Sequence, residues 1–426
     1  VWFQPRRPVG GPRAADAPDS SRISGPGASD LTGVADGALD STHARTFAGG
    51  LTDRDVALIR TSLAVVEPLA ADMAVYFYSI LFTRYPQVRE MFPPGMDTQR
   101  GRLLRALLHI VDLVDDPEAL ARFCAHLGRD HRKFGTQNDH YDAVGECLLA
   151  ALARFAGPAW NPEVAGAWTR AYTAVAKVMT QAADEDAQAR PAVWNAQIVH
   201  RQVFPHGIAA ITVQPDKPYE YAAGQYVSME TPWWPREWRY YSPANAPRPD
   251  GTLTFHVRAI PTGWVSNALV RRSTVGDVIR LGPPLGDMVL DPESGRDILC
   301  VAGGTGLAPI RALVEESARN GVQRQMDVFI GARTSDELYG LDEMLRFAQR
   351  NHWLQVRAAV SDEHILGLSG SLPQVLREFG PWYRHDAYLS GPASMVTAAA
   401  DTLRQNGVPR SRIRHDPLDV PVLSLN

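Results

Sequence analysis

The sequence predicts a chain of three folded domains of different class: all-α, then an antiparallel β-barrel, then a doubly wound parallel α/β sheet. Three observations predict it. From residue 51 to about 187 apolar residues recur with a helical period and strand signals are absent. Past Pro191 the period becomes two, with breaks at Pro and Gly. From about Arg296 short apolar strands alternate with amphipathic helices. The length agrees, since 426 residues at about 150 per domain give two to three domains.

Composition narrows the function classes. The chain is 45% hydrophobic and 21% charged, and its net charge of −4 carries no basic excess for nucleic acid or an anionic membrane. Three cysteines, Cys124, Cys147 and Cys300, are odd in number and lack CxxC spacing. That excludes a disulfide scaffold, a zinc ribbon and a cysteine-ligated iron–sulfur cluster. There is no run of 18 apolar residues, and the opening VWFQPRRPVGG lacks the apolar core of a signal peptide. The expectation is a cytoplasmic protein without a membrane or nucleic-acid partner.

Residues 1–48 are rich in Pro, Gly, Ala, Ser and Asp without periodicity, which predicts a disordered tail. The helical domain is placed at 49–190. Thr52 with Asp55 three residues on predicts a capped start, and Val56, Ile59, Leu63, Val66 and Leu69 mark the buried face. Helices follow in MAVYFYSILFTRY, RGRLLRALLHIVDLV, PEALARFCAHLGRDHRKF, HYDAVGECLLAALARF and VAGAWTRAYTAVAKVM. Four histidines fall on them: His109, His126, His131 and His140. His131 stands out because Leu127, four residues earlier, shares its face and offers an apolar wall to a planar cofactor.

The barrel is placed at 191–294, on the alternating segments AQIVHRQVF, GIAAITVQ, GQYVSME and LTFHVRAI. It contains Gly224-Gln225-Tyr226 and Arg239-Tyr240-Tyr241-Ser242, an arginine for a phosphate and tyrosines for a ring system. The α/β domain is placed at 295–426. There ILCVAGG runs into a turn of Gly303, Gly304, Thr305 and Gly306, then a helix opening Leu307, Ala308, Pro309. Such a turn lets backbone N–H groups meet a pyrophosphate at the helix N-terminus.

These motifs in this order resemble the ferredoxin-reductase-like flavoproteins over residues 192–426. The resemblance implies that the RxYS and GQY motifs hold FAD and that the GxGxxP turn holds NAD(P)H. Gly263, Val265 and Ser266 look like the start of that family's helix over the flavin pyrophosphate. Ser390-Gly391-Pro392 falls where many relatives have Cys-Gly-Pro. The helical part resembles a globin over residues 51–187, so the whole resembles the flavohaemoglobin family. The resemblance implies haem b with His131 as its iron ligand. It places Tyr78 and Gln99 on the distal side, Phe92, Leu103 and Leu127 in the haem pocket, and Tyr141 against His131. The implied activity is an NAD(P)H-dependent nitric oxide dioxygenase, with electrons passing from NAD(P)H through FAD to haem. Nitric oxide and dioxygen would be the substrates, and no obligate protein partner is implied. Two alternatives stay open: a dioxygen-binding or sensing globin with its own reductase, and an FAD-dependent reductase serving another acceptor.

Two positions depart from the family pattern. Ala183 stands where a glutamate completes a His–Tyr–Glu proximal relay; Asp186 is on a similar helical face, with Asp184 and Glu185 turned away. Asp130 replaces a lysine before the proximal histidine, removing a positive charge between haem and flavin. For the coenzyme, the loop Gly331-Ala332-Arg333-Thr334-Ser335-Asp336-Glu337 has one cation and two acids. This predicts NADH, with NADPH as the alternative, and Arg333 stacking or in a surface ion pair.

Overall fold

The computed structural model describes residues 51–320, 324–363 and 368–416; the expected tail at 1–48 lies outside the described residues. Helix α1 (Asp53–Val66) starts at a reciprocal cap. Thr52 Oγ1 accepts from the Asp55 N–H at 3.2 Å, and Asp55 accepts from the Thr52 N–H at 3.0 Å. The Asp55 carboxylate also pairs with Arg170. Arg170 lies on α6 (Pro162–Ala189), so one buried acid both starts α1 and ties it to the last helix of the domain.

A break at Pro68 separates α1 from α2 (Ala70–Arg84). The stretch Asp53–Arg84 is long and apolar enough to cross a membrane by length and composition alone. Its apolar row, Ile59, Leu63, Val66, Met73, Phe77 and Leu81, is instead buried in the helical core. Three more helices complete the domain: α3 (Asp97–Asp112), α4 (Pro117–His131) and α5 (Asn138–Ala156). Helices α4 and α6 cross where Gly128 meets Met179, and a Cβ on Gly128 would stand 2.2 Å from the Met179 carbonyl oxygen. No side chain fits there, which sets the depth at which α4 carries His131.

The second domain is a six-stranded antiparallel sheet in the order β4-β3-β6-β1-β2-β5. Its strands are β1 (Trp194–Phe204), β2 (Ile208–Pro215), β3 (Tyr226–Thr231), β4 (Trp234–Tyr241), β5 (Leu253–Arg258) and β6 (Val278–Leu285). A bridge from Pro243, just past β4, to Phe255 on β5 joins the two ends and rolls the sheet into a barrel. Its interior is apolar, with Ile198, Ile211, Val227, Phe255 and Ile279 nearly solvent-free. Helix α7 (Trp264–Arg271) packs against it.

The third domain is a parallel sheet ordered β10-β9-β8-β7-β11-β12. It comprises β7 (Asp297–Gly303), β8 (Met326–Ala332), β9 (Leu354–Val360), β10 (Leu368–Ser369), β11 (His385–Ser390) and β12 (Ile413–Arg414). Helices α8 (Leu307–Asn320), α9 (Leu341–Arg350), α10 (Leu372–Phe379) and α11 (Ala393–Gln405) connect the strands. Successive strands run outward from β7 through β8 to β9, and the chain then returns to β11 on the other side of β7. The strand order reverses at β7, and a ligand crevice belongs at the carboxyl ends of the strands beside such a switch.

Gly128→Ala forces α4 away from α6, because the clashing atoms are backbone. Thermal unfolding of the full chain should show the helical domain destabilised by about 1–3 kcal/mol. An unchanged melting temperature would show that the two helices are free to part.

Candidate active site

One cavity of about 270 Å³ opens in the helical domain, and every pocket residue named from the sequence there lines it. Tyr78 and Phe92 meet edge-on with ring centroids 5.5 Å apart. The Tyr78 hydroxyl is 3.4 Å from the Gln99 carbonyl oxygen, a long contact that leaves it available to a better acceptor. Burial raises the phenol far above its usual range, so Tyr78 stays a donor at neutral pH. Gln99, Leu103, Leu127, His131 and Tyr141 complete the set.

The Nδ1 of His131 lies 2.7 Å from the Leu127 carbonyl oxygen. A carbonyl can only accept, so Nδ1 carries the hydrogen and Nε2 keeps its lone pair. Burial lowers the imidazole's pKa and keeps it neutral, the form that binds a metal. On α3, Arg102 also faces the cavity, and its buried Nε has no partner. Burial, then the charge of Arg239, lowers the Arg102 pKa against the opposing charges of Glu237, Tyr240 and Asp130. A lone pair for iron, apolar walls for a macrocycle and a guanidinium for carboxylates fit haem.

The proximal relay differs from the sequence reading. Asp186 does not serve His131: Arg132 and Arg190 take it, Arg190 Nε donating at 2.7 Å. Asp184, expected to turn away, lines a second hollow together with His131, Tyr141 and Ala183. Its charge, after burial, helps push the Tyr141 phenol up to about 12. The acid facing the proximal side is therefore Asp184, and the His131 hydrogen goes to a backbone carbonyl.

The mouth of the cavity is closed by the barrel. Arg236, Trp238 and Tyr240, alternate residues of β4, line it from outside the helical domain. Between the domains Lys133 pairs with Asp130 at 2.6 Å, with side chains 1% and 2% exposed. Its ammonium lies 5.4 Å from the Trp238 ring centroid and 5.5 Å from that of Tyr240. Asp130 is thus neutralised by Lys133, one turn on, and burial lowers the Lys133 pKa. Lys133, Arg102 and Trp238 were not singled out in the sequence.

On the barrel, Tyr226 meets Tyr240 edge-on at 5.3 Å, and Tyr241 packs against the barrel core. Arg239 donates to Glu237 and to the Trp238 carbonyl, both at 2.9 Å, and Ser242 follows half-buried at the end of β4. Gly263 begins α7 without a side-chain cap, which leaves first-turn N–H groups for a diphosphate. A Cβ on Gly263 would stand 2.4 Å from both Ile260 Cγ1 and Ser266 Oγ. Val265 is buried in the barrel core and the Ser266 hydroxyl donates to the Gly263 carbonyl, so this turn offers backbone rather than side chains. The uncapped turn and the tyrosine pair fit FAD. Asp416, also missed from the sequence, is half-buried near Tyr226; desolvation and the nearby Asp287 push its carboxyl up to about 7.

At the switch point, Gly304 has φ +55°, and a Cβ on Gly306 would stand 2.5 Å from the Ser390 carbonyl oxygen. The turn Gly303, Gly304, Thr305, Gly306 therefore lies against Ser390-Gly391-Pro392 at the end of β11. Leu307, Ala308 and Pro309 are buried at the start of α8 and anchor the turn. Arg333 is occupied: Glu337 accepts from it at 2.6 and 3.2 Å.

Comparison with known proteins agrees with this geometry. The chain matches the globin family over residues 75–179, the oxidoreductase FAD-binding domain over 196–289 and the oxidoreductase NAD-binding domain over 300–401. It is an FAD- and haem-dependent NAD(P)H oxidoreductase. A flavohemoprotein of Bacillus subtilis is 25% identical over 88% of this chain and 99% of its own length. The electron transfer component XylA of the xylene/toluene monooxygenase of Pseudomonas putida is 33% identical over 53% of this chain, which spans 65% of that protein. A flavohemoglobin from Malassezia yamatoensis, solved with bound FAD and heme, shares the fold with a TM-score of 0.73 at 19% identity, covering 86% of this chain and 99% of its own. The chain is thus a globin followed by FAD-binding and NAD-binding reductase domains, the arrangement in which it is similar to flavohemoproteins along nearly their whole length.

His131→Ala should abolish stable haem binding while FAD stays bound, since only one domain loses a ligand. Absorption spectra of the purified variant check this; an unchanged haem band would assign the iron to another side chain.

Proposed function

We propose that this protein is a nitric oxide dioxygenase, oxidising NADH and converting nitric oxide with dioxygen to nitrate. The observation that carries the reading is the buried Tyr78 hydroxyl, weakly engaged and lining the same cavity as His131. Haem supplies an iron that binds dioxygen, and FAD divides the two electrons of NADH into single transfers. Tyr78 donates where negative charge develops on oxygen, the logic of an oxyanion site, and Gln99 stands beside it. Phe92 and Leu103 keep that space apolar. His131, fixed by the Leu127 carbonyl through Nδ1, would offer its free Nε2 to the iron. Lys133, paired with Asp130, lies against the ring faces of β4, and β4 keeps water from the cavity mouth. The occupied Arg333 and its acidic neighbours support NADH over NADPH.

One observation favours an oxygen-binding protein with its own reductase. A carbonyl partner leaves the proximal imidazole less electron-rich than a carboxylate partner would. Product analysis separates the readings. Each NADH carries two electrons and each nitrate formed takes one, so a dioxygenase yields two nitrates per NADH consumed. Absence of nitrate under nitric oxide and dioxygen would leave the oxygen-binding reading.

Tyr78→Phe removes the donor and nearly keeps the shape. A hydrogen bond to a charged acceptor contributes about 1.5–3 kcal/mol, so dioxygen should leave the reduced protein roughly 10- to 150-fold faster. Stopped-flow measurement of the off-rate decides it; an unchanged rate would mean that Tyr78 does not face the ligand.

A further inference from the structure

The hairpin of β3 and β4 carries a cation on a backbone held in an unusual conformation. The strands pair Met229 with Arg239 and Thr231 with Trp234, so residues 235–238 of β4 stand opposite Glu230 alone. The surplus residues bulge out of the sheet. Within this bulge Arg236 has φ 69°, the left-handed region that glycine adopts freely and a residue with a Cβ does not. The Glu230 carboxylate holds it there, accepting from the Arg236 N–H while pairing with Arg280. Strained backbone persists where its neighbours over-determine it, and it collects at ligand sites.

The bulge turns Arg236 toward the helical domain. Its side chain lines the haem cavity from the exposed rim, and its Nη1 reaches the Phe92 carbonyl oxygen only at the outer limit of a hydrogen bond, 3.5 Å. Other cations of this region have partners: Lys133 has Asp130, Arg239 has Glu237, and Arg280 has Glu230. Among the described residues no carboxylate pairs with Arg236, and none pairs with Arg102 on α3, whose buried Nε is unpartnered. The cavity therefore has an unpaired guanidinium from each of the domains that line it. Haem b carries a pair of propionates, and the arginine fork is the side chain best matched to a carboxylate.

We propose that Arg236 binds a haem propionate from the barrel, while Arg102 serves the other from α3. Haem then ties the two domains together, with its iron served from α4 and one carboxylate from β4. The bulge explains the strained backbone, since a regular strand would keep residue 236 in the plane of the sheet. Haem retention consequently depends on a residue of the reductase half of the chain. The inference rests on haem binding in this cavity and not on the nitric oxide reading, so haem release from the oxidised protein tests it separately.

The test follows release of haem from the oxidised, FAD-loaded full chain into excess apomyoglobin. It uses the native chain and the variants Arg236→Ala, Arg236→Gly and Arg236→Lys, each loaded with haem or with haem dimethyl ester. Loss of a charge-assisted pair at an exposed rim should speed haem release about three- to tenfold in the Ala and Gly variants. Lys, which keeps the charge without the fork, should recover part of the loss. The dimethyl ester has no carboxylate, so it should leave every variant at the native rate. Glycine takes the left-handed backbone without strain, so Arg236→Gly reads the guanidinium even where Arg236→Ala disturbs the hairpin. Unchanged haem release in Arg236→Gly overturns the proposal. Equal acceleration of haem and its ester also overturns it, because the cavity mouth would then have opened. So does acceleration in Arg236→Ala alone, which would assign the effect to the backbone.

Discussion

The arrangement depends on an ion pair of the helical domain that the barrel covers. Lys133 and Asp130 have side chains 1% and 2% exposed, and each offsets the other's desolvation. Such a pair is weak as adhesive, because separating the domains would return both charges to water. Its use is registry. The ammonium finds the faces of Trp238 and Tyr240 only when β4 lies across the cavity mouth. Gly282 leaves room beneath, since a Cβ there would stand 3.7 Å from Lys133 Cδ and 2.2 Å from Ser228 Oγ. Sliding the barrel would leave a buried cation facing apolar surface, so the haem site and the flavin strand are held in one orientation.

What the sequence made legible, and what it hid, follow from the range of the interactions. The three fold classes rest on periodicity, a local property, and the structure has them. His131 was visible because Leu127 is one helical turn away, and its carbonyl takes the imidazole hydrogen over that same turn. The glycine turn was visible because strand, turn and helix are contiguous. Arg102, Lys133 and Trp238 were not, because what distinguishes them is each other: Trp238 is more than a hundred residues from Lys133 along the chain. Asp184 and Asp186 show the limit most sharply. At about 100° per residue both lie within reach of the Ala183 face, so helical geometry cannot choose between them. Arg132 and Arg190 make the choice by capturing Asp186, which leaves Asp184 on the proximal side.

The barrel is the part through which the other two domains meet. Strands β4 and β5 are the ends of its sheet order, brought together by the bridge from Pro243 to Phe255. End strands have a free edge and an outer face to spend, and each of these serves a neighbour. The alternate residues Arg236, Trp238 and Tyr240 close the haem-side cavity. The alternate residues His256 and Arg258 face the coenzyme crevice. A two-residue period therefore divides each strand between a packed interior and another domain's ligand site. Tyr226 and Tyr240 meet edge-on beside the Lys133 ammonium, the pair that would flank a flavin. Barrel closure is therefore what sets β4 against the helical domain and β5 against the α/β domain.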